Sequence, residues 1–219
     1  MAGDDLELRV AWQRHLGRSS AADRWFDVVV AHHREPHRRY HTLRHVVWVL
    51  RHIGELAAEH PGCDVDAVAA AGFFHDVVYE PTHTDNEAAS ARLAERALRE
   101  LGWSADAAGH VAQMIEATAG HQVDAGADLG TAILVAADLG VLAAEPAKYA
   151  DYARNVRHEY HHVDDHAWAS GRGSFLRSML ERSHIFPSVL GLTSWEQRAR
   201  ANLTDELAAL FGGSPTGNA

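Results

Sequence analysis

The segment from Ala67 to Phe74 most constrains the fold, because it contains eight consecutive residues and none of them is polar. It belongs to a predicted helix over residues 65–78, and a helix that is apolar all round has to be buried. A second segment, residues 130–143, has the same character, and its one ionisable residue is Asp138. Two such segments predict a helical protein with a sizeable core.

Apolar residues recur at helical spacing through most of the remaining chain. No segment shows the sustained alternation with β-branched residues that is typical of a strand. The sequence therefore predicts an all-α fold, a single bundle of about eight to ten helices in one domain over residues 1–211. The small, polar residues 212–219 are expected to form a disordered tail. The predicted helices cover residues 5–16, 20–34, 42–59, 65–78, 85–101, 105–118, 130–143, 147–161, 172–183 and 194–211.

Charge and composition limit the partners. The chain has 30 acidic and 20 basic side chains, with a formal net charge of −10, whereas a protein that binds duplex nucleic acid needs a basic footprint. We therefore expect a small-molecule partner and no duplex nucleic acid. No stretch approaches the roughly 20 apolar residues of a membrane span, and the N-terminus does not read as a signal peptide, so no membrane association and a cytoplasmic location are expected. The single cysteine, Cys63, suits a reducing compartment.

Acidic residues interrupt both apolar segments. His75-Asp76 closes the first, and Asp138 lies within the second. Burying a carboxylate costs several kcal/mol unless a positive group meets it. For either acid alone, a salt bridge to an arginine or the capping of a neighbouring helix is a sufficient explanation, but two acids with a histidine beside one favour a shared cation. Without that cation the acids should repel each other, so that the fold is less stable or at least one pKa is raised.

Histidines in a third segment supply nitrogen ligands for a cation shared with the two acids. His41 and His45 are four residues apart, so they can share a helix face, and His45 begins an apolar stripe. A lone histidine there is more often a hydrogen-bonded core residue. Two imidazoles with two carboxylates suit one divalent ion of Mn, Fe, Co, Ni, Zn or Mg, with coordination positions left open for water and substrate.

The order of these residues resembles the HD superfamily of metal-dependent phosphohydrolases, in particular the branch known as predicted metal-dependent phosphohydrolases. The likeness extends from residue 7 to residue 211. It implies the metal ligands His45, His75, Asp76 and Asp138, and hydrolysis of a phosphate ester or phosphoanhydride of a small molecule, in the first instance a nucleotide. The motifs that carry it are Tyr40-His41-Thr42-x-x-His45, Phe74-His75-Asp76-Val77-Val78-Tyr79, Asp85-Asn86-Glu87-x-x-Ser90-Ala91, Thr118-x-x-His121, Ala137-Asp138-Leu139, Tyr149-x-x-Tyr152, Arg157-x-Glu159-Tyr160 and Glu196-x-x-Ala199-Arg200-x-Asn202-Leu203.

Two other functions stay open. The superfamily includes a few di-iron oxygenases, which need two further histidines between the His-Asp pair and the final aspartate. The chain offers His83, His110 and His121 there, but their spacing matches that pattern poorly, so we expect one metal. A non-catalytic module that binds a nucleotide as a regulator is the third possibility, and the intact ligand set argues against it.

The resemblance also suggests residues for proton transfer, namely His41, Glu87 and His121, with Asp76 as a hydrogen-bond partner of the attacking water. Each has an ordinary structural alternative. His41 can bond to a helix N-terminus, His121 can be an exposed loop residue, and Glu87 can form a capping box with Thr84.

Four residues are candidates for substrate binding. Arg154 and Arg157 are three residues apart on a predicted helix that also carries Lys148, so they can clamp a phosphate from one side. Ion pairs with Asp151 or Glu159 are the ordinary alternative. The fourth candidate is Asn86, which belongs to one of the family-like motifs.

Overall fold

The computed structural model describes residues 2–121, 123 and 127–212. Within these residues the fold is all-helical, as predicted. Residues 213–219 of the predicted tail lie outside the described residues, and Gly212 ends the last helix. The helices are α1 (Ala2–His15), α2 (Ser20–His33), α3 (Leu43–Glu59), α4 (Val65–Phe74), α5 (Asn86–Glu100), α6 (Ala105–Ala117), α7 (Leu129–Asp138), α8 (Pro146–Glu159), α9 (Asp165–Glu181) and α10 (Thr193–Gly212), with 3₁₀-helices at Leu139–Ala143 and Ser188–Leu190.

The helices are grouped in two compact units. The first contains α1 to α7 and ends at Asp138, and the second begins at Leu139 and contains α8 to α10. The single domain predicted over residues 1–211 stays a prediction. No single helix of the described residues is long and apolar enough to cross a membrane.

Helices α4 and α7 are the buried helices of the first unit, as their apolar sequences predict. Every residue of α4 from Ala67 onward is buried, and so are residues 130–137 of α7. Helix α3 packs against both, and α6 packs against α4 as well. The close approach of α3 to α4 depends on Gly72, because a Cβ there would lie 2.8 Å from Cδ1 of the buried Ile53.

Both buried helices end earlier than predicted. The helix predicted over residues 65–78 ends at Phe74, and the α-helix predicted over residues 130–143 ends at Asp138 and continues as a 3₁₀-helix. The apolar pattern runs past both ends because the following residues are also buried, as Val77 and Leu139 are. Burial, rather than helical backbone, sets the pattern there.

Two other helix starts differ from the prediction. The capping box of Thr84 and Glu87 is wrong, because α5 begins at Asn86 and its N-cap is Asp85, whose side chain makes no capping bond. Helix α9 was predicted to begin at residue 172 but begins at Asp165, where the Asp164 carboxylate accepts a hydrogen bond from the Ala167 N–H. Glycines at positions 171 and 173 weaken the helical signal of this segment.

An ion pair between the buried Arg172 and the partly buried Glu206 lies in the second unit. The Arg172 guanidinium donates to the Glu206 carboxylate through Nε at 2.8 Å and Nη2 at 3.0 Å, and to the Tyr152 hydroxyl at 3.2 Å. The Tyr149 hydroxyl donates to the same carboxylate. Both charges are therefore hydrogen-bonded, as burial of an ion pair requires.

His33, at the end of α2, is buried in the first unit. Its Nδ1–H donates to the Val29 carbonyl at 2.9 Å, and its Nε2 has no hydrogen-bond partner among the described residues. Burial, helped by the nearby Arg38 charge, lowers the pKa of His33 to about 3. The imidazole is therefore neutral in the folded protein at pH 7.

We expect His33 to destabilise the fold in acid. The pKa of His33 in the unfolded chain is about 6.5. Below that pH the unfolded chain binds a proton at His33, whereas the folded protein does not bind it until about pH 3. The contribution of His33 to the free energy of unfolding is fully present above the unfolded pKa and falls by up to about 1.4 kcal/mol per pH unit below it. His33→Asn keeps a donor for Val29 without a titrating group. Urea unfolding with chelator present should show a shallower acid loss for the variant, and parallel losses would contradict this assignment.

Candidate metal centre

The four residues predicted as metal ligands meet inside the first unit. One donor atom from each of His45, His75, Asp76 and Asp138 lies within 4.8 Å of the others. His45 lies in the first turn of α3, the His75-Asp76 pair follows the end of α4, and Asp138 is the last residue of α7. The residues converge because these three helices pack against one another.

The donor atoms are spaced as ligands of one cation would be. The Nε2 atoms of His45 and His75 lie 3.0 Å apart. Asp76 Oδ2 lies 3.3 Å and 3.2 Å from them, and Asp138 Oδ1 lies 3.2 Å and 3.5 Å from them. Ligands about 2.1 Å from a metal lie about 3.0 Å apart in neighbouring octahedral positions and about 3.4 Å apart in a tetrahedron. The residues therefore fit a single divalent ion.

A backbone contact selects the tautomer of His75. Its Nδ1 lies 3.0 Å from the Gly72 carbonyl oxygen, which can only accept, so Nδ1 carries the proton. The lone pair of Nε2 in the neutral ring then points into the cluster. An outer acceptor of this kind is typical of metal-ligating histidines.

The two carboxylates are held ionised by the imidazoles around them. Burial by itself raises the pKa of each carboxyl, but His75 at Asp76 and His121 at Asp138 lead the opposing effects, and the pKa of each carboxyl lies well below its usual value. Burial also opposes charging of His75, yet the two carboxylates raise its pKa well above the usual value. Of the two consequences expected without a cation, a raised pKa of at least one acid is therefore wrong, since the imidazoles lower the pKa of both carboxyls. The other, a less stable fold, stays a prediction. A metal ion has to compete with protons for the imidazole nitrogens.

His41 lies at the cluster, but not for the reason predicted. It precedes Thr42, the N-cap of α3, so it does not share a helix face with His45. Instead its ring is packed against Tyr79, with centroids 4.0 Å apart, and its Nε2 lies 3.9 Å from Asp76 Oδ2. The loop before α3 therefore brings the imidazole close to Oδ2 of Asp76, the same oxygen that faces the two imidazoles of the cluster.

His121 contacts the other carboxylate. Its Nε2 lies 3.1 Å from Asp138 Oδ2, whereas Oδ1 of the same carboxylate faces the two imidazoles of the cluster. His121 also has φ +46°, and among the described non-glycine residues it alone has positive φ. Such a conformation is uncommon for residues with a Cβ, and strained residues of this kind concentrate at functional sites.

Asn86 and Ser90 hold the segment that follows the His-Asp pair. The Asn86 side chain accepts from the Glu80 N–H and donates to the Glu80 carbonyl, both at 3.0 Å, and the Ser90 hydroxyl bonds to the backbone N–H and carbonyl of Val78. These bonds give Asn86 a structural role. Glu87 lies in the first turn of α5. The predicted roles of Asn86 in substrate binding and of Glu87 in proton transfer stay predictions.

The predicted phosphate-binding residues Lys148, Arg154 and Arg157 share helix α8 of the second unit, as expected. The Arg157 guanidinium donates to the carbonyls of Tyr160 and Val163 and to the Asp165 carboxylate at 2.7 Å. Arg154 forms the ordinary ion pair with Asp151, and Lys148 is exposed. Their contact with substrate stays a prediction.

Arg38 is a residue of the site that the sequence pattern does not predict. Its side chain is fully buried, and Nη1 donates to the backbone carbonyl of Asp76 at 2.7 Å. Arg38 lies in a polar segment between α2 and α3, where an arginine is normally solvated. The sequence therefore carries no signal that separates it from its neighbour Arg39.

Comparison with known protein families gives a match. The family model described as "HD domain" matches residues 42–151, half of the chain, and the matched span contains all four candidate ligands. No curated protein and no solved structure matches the chain.

Proposed function

The chain belongs to the HD domain family, and on that premise we propose that it is a phosphohydrolase that cleaves a phosphate ester or phosphoanhydride of a small molecule, in the first instance a nucleotide. HD domains are typically metal-dependent hydrolases. The observation that carries the proposal is the cluster of two imidazoles and two carboxylates, with one more imidazole beside each carboxylate. A site that only held a metal for structural reasons would not need the additional imidazoles.

The contacts of the residues at the cluster support a separate role for each of them in the proposed reaction. A divalent cation at the cluster would supply the acidification of a water molecule and the polarisation of a phosphoryl oxygen. His45, His75, Asp76 and Asp138 would hold it. His121 donates its Nε2 proton to Asp138 Oδ2 at 3.1 Å, so the carboxylate orients the ring. Donation of a proton to the leaving-group oxygen when the phosphorus–oxygen bond breaks is the role that we propose for a doubly protonated His121 ring, which becomes neutral as it gives the proton up.

The test is turnover by metal-loaded protein. Purified protein would be stripped of metal, reloaded separately with Mn²⁺, Co²⁺, Ni²⁺ or Mg²⁺, and tested on a panel of nucleoside mono-, di- and triphosphates and sugar phosphates. Release of phosphate or pyrophosphate by the wild type, and none by His75→Ala, is the expected result. Absence of turnover by protein with confirmed metal content would contradict the proposal and favour a binding module.

His41→Ala is expected to separate catalysis from metal binding. His41 Nε2 lies 3.9 Å from Asp76 Oδ2, outside the set of four donor atoms, so the variant should keep its metal. Turnover should fall by about 10²- to 10⁴-fold if the imidazole transfers a proton. Elemental analysis and the hydrolysis assay are run beside His45→Ala. If the metal content of His41→Ala falls as far as that of His45→Ala, then His41 is a ligand.

A di-iron oxygenase is the second candidate, favoured by the contact of His121 with a candidate ligand carboxylate. His110, a second histidine that such a site could use, instead pairs with Asp128 at 3.2 Å. Two irons per chain together with consumption of O₂ would support the oxygenase over the hydrolase.

A further inference from the structure

Arg38 is buried at the end of the His-Asp segment and makes four directed hydrogen bonds. Nε donates to Glu35 Oε2 at 3.0 Å. Nη1 donates to the carbonyls of His41 at 3.1 Å and Asp76 at 2.7 Å, and Nη2 donates to the carbonyl of Val77 at 3.0 Å. Three of the four acceptors are therefore backbone oxygens of segments that reach the metal centre.

The backbone at Asp76 needs such a partner. Helix α4 ends at Phe74, so the carbonyls of Asp76 and Val77 lie beyond the helix and outside its hydrogen-bond ladder. Buried carbonyls without a partner are costly, and one planar guanidinium supplies partners for both. The same group bonds to His41, which ties the loop before α3 to the turn after α4.

Neighbouring groups fix the guanidinium itself. The Glu35 carboxylate accepts from its Nε and balances its charge, and the Tyr79 ring lies below it with the guanidinium carbon 5.5 Å from the ring centroid. Tyr79 also packs against His41. Displacement of Arg38 would therefore release the backbone of Asp76 and the loop and ring support of His41 together.

We propose that Arg38 is a positioning residue of the metal centre: its guanidinium holds the backbone of Asp76 and His41 so that the Asp76 carboxylate meets the two imidazoles in ligand geometry. The inference rests on the proposed metal-dependent function. Arg38 touches no donor atom of the cluster, so it acts through the backbone. Loss of such an outer partner typically weakens metal binding by about 10- to 100-fold.

The experiment measures Co²⁺ binding rather than turnover. Co²⁺ would be titrated into metal-free wild type, Arg38→Lys, Arg38→Met and Arg39→Ala, with the visible absorption spectrum recorded at saturation. Lysine keeps the charge but lacks the planar fork, and methionine keeps bulk without donors. Arg39→Ala is the matched control, because Arg39 is the adjacent arginine and its Nη1 donates to the carbonyls of Pro36 and Arg38. Thermal unfolding with chelator gives the stability of each metal-free protein.

Both Arg38 variants are expected to bind Co²⁺ about 10- to 100-fold more weakly than wild type, with an altered spectrum, while Arg39→Ala behaves as wild type. A residue that merely stabilised the fold would lower the metal-free melting temperature and leave affinity and spectrum of the folded protein unchanged, and that result would overturn the inference. If neither variant folds, Glu35→Gln decides, since it leaves Arg38 in place and removes the carboxylate that fixes Nε. Unchanged binding and spectrum in Glu35→Gln would then overturn it. Failure of the wild type to bind Co²⁺ would instead reject the metal centre.

Discussion

Asp138→Ala is expected to lose tight metal binding and hydrolysis together. Asp138 is the one candidate ligand from α7, and its Oδ1 lies within 3.5 Å of both imidazole nitrogens. Removing it leaves three donors and also deprives His121 of the carboxylate that orients it. The affinity should fall by more than about 100-fold, because the loss of an outer partner alone typically weakens binding by about 10- to 100-fold.

Asp128→Ala is the matched control for this prediction. Asp128 accepts hydrogen bonds from the backbone of Gly130 and Thr131 at the start of α7 and pairs with His110, away from the cluster. Its loss should lower the free energy of unfolding by about 1 kcal/mol, as for a lost helix cap, without a change in metal stoichiometry. Elemental analysis and Co²⁺ titration of both variants and of His75→Ala are the measurements. Stoichiometric metal in both Asp138→Ala and His75→Ala would reject the assigned ligands.

Chelation is expected to lower the melting temperature of the wild type by several degrees. A ligand that binds only the folded state stabilises it by roughly 2.7 kcal/mol at 100 times its Kd. Each kcal/mol corresponds to about 2–4 °C for a chain of this size, so the fall should be roughly 5–10 °C. The metal-free site is not an unneutralised acid pair, because the imidazoles of His75 and His45 lie between the carboxylates, which raise the pKa of both rings. The loss therefore reflects binding energy rather than released repulsion.

Asp138→Asn provides the matched comparison. The amide keeps the shape of the side chain, weakens the site and removes one acceptor for the imidazolium groups. We expect a lower melting temperature in the presence of metal and a smaller effect of chelation than in wild type. Thermal scans of both proteins with and without chelator, with metal loss checked by elemental analysis, make the measurement. An unchanged wild-type melting temperature after confirmed loss of metal would contradict a buried metal centre.

The buried helices and their lone acids were predictable, because eight apolar residues in a row leave few alternatives to a core helix. The family resemblance, supported by two acids in apolar surroundings, predicted that four residues come together, namely His45, His75, Asp76 and Asp138. Local periodicity could not show where α4 and α7 end, since burial continues past both helices. It also misplaced His41 on α3.

Contacts between residues that are far apart in the sequence could not be predicted from it. In the sequence, Arg38 resembles any surface arginine. Only the fold shows that the turn after α4 places the Asp76 carbonyl oxygen 2.7 Å from its Nη1. The prediction that at least one acid has a raised pKa without a cation was wrong for a similar reason. Repulsion between two carboxylates was considered without the imidazoles that lie between them, and those imidazoles reverse the direction of the pKa shifts.

The backbone and the side chain of His121 act on stability in opposite directions. A left-handed conformation costs a residue with a Cβ about 1 kcal/mol, and glycine adopts it without that penalty. Glycine at residue 121 would remove that cost but would also remove the hydrogen bond of the imidazole to the Asp138 carboxylate, which contributes about 1.5–3 kcal/mol. The hydrogen bond therefore outweighs the backbone strain, and screening for thermostable variants of this protein would tend to retain His121 in its left-handed conformation.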